Sequence, residues 1–334
     1  MQQVGGDTGP SAPWHRLLEE RARQAVDALA RVEGVLGLLL AGSIGRGEPW
    51  PLSDIDVIPI YEDERAETAA AEVEAERNEL LDWWAAEGHC TCLDVGKLRF
   101  TRSEAAQATA LPPAEAARYL DDPRWFHSLD KGYRGRAAFD PEGLATRLSG
   151  WLTEARFAPE VARERLQMHW QQVGEAYEEA VAMLGKQETL AASIALRESL
   201  HALTRYLIEG WGGRDNSWAR FATRLELRAA ERGEEDLVAH VMTLYGLTPE
   251  EVVRRMALAP EGIRQRHRLS LQGRRLVGES VTEQQDARDV LLVFSTREVR
   301  YQRPPYGEWV GLELDRTTLG KRLDEYGHLL KRLT

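Results

Sequence analysis

With 334 residues, 43% of them hydrophobic and 29% charged, the chain exceeds a typical single domain and carries enough apolar residues for two cores. A formal charge of -11 and a pI near 5.4 argue against extended contact with nucleic-acid phosphates and favour a neutral or cationic partner. No apolar run approaches the ~20 residues of a membrane span, and MQQVGGDTGPSAP lacks the basic-then-apolar order of a signal peptide. The expectation is a cytoplasmic protein, without a membrane partner, behind a short disordered tail over 1–13.

Apolar residues recur at helical spacing from Trp14 to Arg31, with Ser11 as N-cap, Pro13 in the first turn and Gly34 as the stop. Val35 to Leu40 follows as a buried strand that ends at Gly42, and Gly45 and Gly47 give the next residues a flexible turn. Beyond Pro49 and Pro51 the chain becomes extended again. There Asp54 and Asp56 fall on one face, because side chains alternate along a strand. Two carboxylates held together raise each other's pKa, an arrangement that a hard divalent cation such as magnesium relieves.

Gly42-Ser43, Arg46-Gly47 and Ser53-Asp54-Ile55-Asp56 occur together in one stretch, Leu40 to Tyr61. This stretch resembles the signature of the nucleotidyltransferase superfamily that includes DNA polymerase beta, and its short turn is most similar to the bacterial antibiotic and minimal nucleotidyltransferases. The resemblance implies that Gly42, Ser43 and Arg46 hold the triphosphate of a bound nucleotide. It also implies that Asp54 and Asp56 ligate metal and that a third carboxylate arrives from a later strand.

Residues Arg65 to Glu87 are rich in helix formers, with Gly88 at the C-terminal cap and Trp83 and Trp84 read as packing. His89 to Phe100 reads as a strand on which Cys90, Cys92 and Asp94 share a face. The two cysteines, without further zinc-spaced ligands, are expected to be small core thiols. By the resemblance Asp94 is the third acid, completing the metal site or accepting the acceptor's proton; His89 is the weaker base, and Lys97 and Arg99 read as rim charges. Residues 101–159 read as irregular, punctuated by Pro112, Pro113, Pro123 and Pro141. Asp130, Lys131, Tyr133, Arg134 and Arg136 form a basic and aromatic cluster there, read as a solvated loop or, less readily, as a contact for the nucleotide.

Long helical patterns begin near Glu160. One segment, Glu188 to Gly210, carries the stripe Leu190, Ile194, Leu200, Leu203 and Leu207. Further helices read over Trp218 to Arg232 and Glu235 to Leu247, and Thr248-Pro249-Glu250-Glu251 opens another. Such helices after such a head resemble the kanamycin nucleotidyltransferase architecture, without a matched motif; Glu164, Glu175 and Glu198 are acidic residues on solvated faces. In the tail, Val290 to Phe294 reads as a strand, Arg303 to Gly307 as a turn and Leu319 to Leu333 as a helix, with Tyr301, Tyr306 and Trp309 as aromatic packing.

The expected fold is α+β: a tail over 1–13, a nucleotidyltransferase domain with a mixed sheet over 14–150, an acceptor-binding helical bundle over 151–284 and an extension over 285–334. The function implied is transfer of a nucleoside monophosphate from a nucleoside triphosphate, ATP, to a hydroxyl of a small molecule such as an aminoglycoside. Two magnesium ions would be held by Asp54, Asp56 and Asp94, and a homodimer is allowed. The alternatives are modification of a protein or a tRNA, as in toxin-antitoxin pairs, and a nucleotide-binding module without catalysis.

Overall fold

The apolar run after Gly34 forms strand β1 (Val35–Ala41), on which a five-stranded sheet is built in a computed structural model that describes residues 12–214, 218–301, 307–312 and 315–333. Its antiparallel neighbour is β2 (Ile55–Tyr61), buried along its whole length, as a central strand covered on both faces must be. On the far side of β2 lie two short parallel strands, β3 (Leu93–Val95) against its start and β4 (Phe100–Thr101) against its end. Strand β5 (Arg136–Phe139) pairs antiparallel with the other edge of β1. The chain as a whole is mixed α+β, 70% helical with this small mixed sheet, and divides into two units, residues 1–162 and 163–334.

Alternation sorts the strand residues between two faces. Val35, Leu38 and Leu40 of β1, Ile55 and Val57 of β2, and Leu93 and Val95 of β3 join one core with helices α1 (Pro13–Leu29) and α3 (Ala66–Ala86). Pro13 opens α1 as expected; the cap position is Ala12, without a side-chain bond, and Ser11 lies outside the described residues. Trp84 is buried and donates to Gln24 at 2.9 Å, whereas Trp83 is exposed, and the Arg21 guanidinium sits over both rings. The opposite face is covered by α4 (Arg102–Thr109), α5 (Pro123–Lys131) and α6 (Leu144–Ala155).

Those helices correct the expectation of an irregular segment over 101–159. Two of the prolines there open helical segments: Pro113 begins a short 3-10 helix, and Pro123 is the first residue of α5, behind Asp122, whose carboxylate accepts from the Arg124 amide at 2.8 Å. Thr101 and Glu104 form a capping box on α4. The single strand expected over His89 to Phe100 is also corrected, because Gly96, at φ +97, separates β3 from β4. Cys90 and Cys92 precede β3 and are exposed, so they are not core thiols.

In the second unit all regular structure among the described residues is helical. It comprises α7 (Pro159–Gly185), which begins in the first unit, α8 (Thr189–Gly210), α9 (Phe221–Ala230), α10 (Glu235–Leu244), α11 (Pro249–Leu258), α12 (Glu261–Leu276), α13 (Glu283–Tyr301), α14 (Gly307–Val310) and α15 (Arg316–Leu333). Leu200, Leu203 and Leu207 of the expected stripe enter the core beside Phe221, Leu225, Leu291 and Tyr326, but Leu190, in the first turn of α8, is exposed. The strand expected at Val290 to Phe294 is instead the middle of α13, where Leu291 and Leu292 are fully buried. Trp309 packs into the core; the side chains of Tyr301 and Tyr306 and the turn before Gly307 lie outside the described residues. Glu175 and Glu198 are exposed and Glu164 is half-buried. Among the described residues no helix is long and apolar enough to cross a membrane.

Candidate active site

Strand β1 ends at Ala41, paired with Asp56 of β2, and the chain turns at once over that carboxylate. Gly42 has φ +61, and a Cβ placed on it would lie 1.8 Å from Asp56 Oδ2, so no other residue fits without moving the aspartate. The turn itself is α2 (Gly42–Gly45), four residues packed back on the strand: a Cβ on Gly45 would lie 2.2 Å from the Leu40 carbonyl oxygen. A single turn aligns few peptide dipoles and leaves mainly its amides to offer.

Ser43 and Arg46 sit on this turn with partners of their own. The Ser43 hydroxyl donates to Ser53 Oγ at 2.8 Å, and Ser53 Oγ accepts the Trp50 amide at 3.0 Å, which ties the turn to the residues just before β2. Trp50, 2% exposed, anchors that return. Arg46 places Nε 3.4 Å from Glu48.

The carboxylates come together as the alternation requires. Asp56 stands opposite Asp94 in the parallel pairing of β2 with β3, where neighbouring strands lie roughly 4.8 Å apart. Both point away from the core made by Ile55, Val57, Leu93 and Val95. Asp54, two residues before Asp56 and ahead of the strand, is exposed.

One residue the sequence did not assign to the site occupies its centre. Lys131, the last residue of α5, sets Nζ 2.5 Å from Asp56 Oδ1. The rest of the cluster expected around it scatters. Asp130 accepts from the buried Arg156 at 2.6 Å, Tyr133 meets the Phe157 ring edge-on, the Arg134 amide donates to Thr153, and Arg136 reaches Glu19. Lys131 and Lys97 line one shallow cleft with Asp56, Asp94 and Leu98.

The charges at this edge do not balance. Burial holds the Asp56 carboxyl above the usual aspartate range against the pull of Lys131, and Asp94 and Asp54 push it the same way. Burial would lower the Lys131 ammonium, but Asp56, Asp94 and Asp54 carry it above its ordinary value. Cys92, beside them, has its thiol raised to about 11 by partial burial and by Asp54, Asp94 and Asp56. For the acid and the thiol burial is the first cause and the neighbouring carboxylates add to it, whereas for the ammonium the carboxylates outweigh burial.

Such a donor set, all carboxylate oxygen on one face, fits a hard divalent cation in its chemistry. As the side chains stand, however, no three His, Cys, Asp or Glu among the described residues converge closely enough to hold a metal ion. No known family model matches the chain, and no curated protein does. What the site offers is therefore its own chemistry: three acids on one sheet edge, a glycine turn closed over the most buried of them, and two lysines in the adjoining cleft.

Proposed function

We propose that the chain is a metal-dependent nucleotidyltransferase, moving a nucleoside monophosphate from a nucleoside triphosphate to a hydroxyl of a small molecule and releasing pyrophosphate. The observation that carries this reading is the register of Asp56 against Asp94 on adjacent strands, beneath a turn whose Gly42 has no room for a side chain. Carboxylates so placed are costly to keep together unless positive charge comes to them.

Asp54, Asp56 and Asp94 would hold the cation. The chemistry it supplies when bound is neutralisation of the triphosphate and a lowered pKa for the attacking hydroxyl. The amides of the Gly42–Gly45 turn and the Arg46 guanidinium would bind the β- and γ-phosphates through charge-assisted bonds. Asp94, half-buried at the mouth of the cleft, would take the acceptor's proton. The acceptor oxygen then bonds to the α-phosphorus while the bond from that phosphorus to the pyrophosphate oxygen breaks. The chain's charge of -11 favours a polycationic acceptor such as an aminoglycoside.

The test is mass spectrometry of the protein with magnesium, each nucleoside triphosphate and a panel of aminoglycosides and lincosamides. The expected product is an acceptor heavier by one nucleoside monophosphate, lost in Asp54→Asn. If no acceptor, small or macromolecular, gains mass, the transfer reading fails.

A further inference from the structure

Three carboxylates lie within electrostatic reach of one another, yet no three ligands converge. Lys131 explains why. Its ammonium lies 2.5 Å from Asp56 Oδ1, one of the two oxygens this carboxylate could offer a cation. An ammonium and a hard divalent cation compete for the same oxygen lone pairs, and they cannot share one.

The two ends of this lysine are held differently. Its backbone closes α5, and the neighbouring Asp130 is bound at 2.6 Å to Arg156, whose side chain is fully buried, so the helix end is fixed. The side chain is 42% exposed and lies in the cleft it lines with Asp94, Lys97 and Leu98, whereas that of Asp56 is 11% exposed. A flexible four-carbon stem with a point charge, this far exposed, can therefore leave Asp56 for solvent without disturbing the fold. An arginine would hold the carboxylate through two parallel bonds and leave less readily.

We propose that Lys131 is a built-in competitor for the cation site: its ammonium pairs with Asp56 and must swing away toward solvent before Asp56 can join Asp54 and Asp94 around a divalent cation. The lysine thus sets the cation affinity and keeps the acids together while no cation is bound. This rests on the reading that these acids bind a cation, and the experiment separates the two.

The probe is Mn2+, titrated into the full-length chain without nucleotide and followed by the electron paramagnetic resonance signal of the free ion. Lys131→Met is expected to bind Mn2+ at least tenfold more tightly than the unaltered protein, and Lys131→Arg more weakly. Lys97→Met removes the same charge from the same cleft and is expected to change affinity less than threefold. In the unaltered protein, Mg2+ is expected to speed acetylation of Lys131 several-fold, read by peptide mass spectrometry against the exposed Lys186. Equal or weaker binding by Lys131→Met, or acetylation indifferent to Mg2+, overturns the competition and leaves the cation site standing. No Mn2+ binding by any of these proteins overturns both.

Discussion

Each unit of this protein sets buried aspartate against a basic side chain, one aspartate in the first unit and two in the second, and the two arrangements differ in how they are surrounded. In the second unit, Arg274 of α12 is fully buried, with Nη2 2.6 Å from Asp289 and Nε 2.9 Å from Asp286 of α13, both equally buried. Hydroxyl and amide donors add to that network: Ser270 donates to Asp286 at 2.7 Å, and Thr223 gives Asp289 both its amide and its hydroxyl. In the first unit Asp56 has a half-exposed lysine, two further acids nearby and an open cleft. The fully buried network binds α9, α12 and α13 together. The unfinished one is where a ligand is wanted, and buried charge alone does not distinguish structure from site.

Stability should separate them most widely. Arg274→Met leaves two aspartates buried without their cation and is expected to cost about 3–5 kcal/mol. Lys131→Met leaves Asp56 beside a cleft, where it can take a proton, water or a cation, and is expected to cost about 1 kcal/mol or less. Urea unfolding followed by circular dichroism measures both. Equal losses would mean that the Lys131 pair is a structural bond like the other, and the contrast would collapse.

Gly42→Ala bears on the smaller network from the turn side. The new methyl group would enter the space of Asp56 Oδ2, and φ +61 is unfavourable for alanine. Backbone strain of about 1–3 kcal/mol is expected, with Asp56 displaced and Mn2+ binding lost. Gly47, also at positive φ but with open space around it, should bear the strain without the loss of binding. If Gly42→Ala keeps full Mn2+ affinity, the closure of the turn over Asp56 has no part in the site.

Much of this geometry was legible because it is local. The alternation that puts Asp54 and Asp56 on one face, the buried run of β1 and the helical periods of α1 and α3 all repeat within a few residues. Asp94 could be placed on a third strand, though the break at Gly96 and the exposure of both cysteines could not. The prolines of 101–159 misled because Pro123 means a helix start when an aspartate caps it and a break otherwise. Val290 to Phe294 misled because a short apolar run suits a buried helix as well as a strand. Lys131 stood out only as part of a basic cluster, and its pairing with Asp56 had no signal: the two are 75 residues apart, and only the packing of α5 on the sheet brings them together.

The mildest effect should be read at Cys92, which reports the potential that distinguishes the two networks. Its thiol is raised to about 11, so at pH 8 only about one molecule in a thousand carries the reactive thiolate. Labelling with a thiol reagent should therefore be slow at neutral pH and rise about tenfold per pH unit until it levels near pH 11. Asp54, Asp94 and Asp56 are three of the causes, and each acts by making the thiolate harder to form. Asp94→Asn should lower the plateau pH and speed labelling a few-fold at pH 8, and Mg2+ should do the same in the unaltered protein by cancelling the same charge. A labelling rate at pH 8 that neither the substitution nor Mg2+ changes would show that the carboxylates at this edge are already balanced. The first unit would then hold a finished network like that around Arg274.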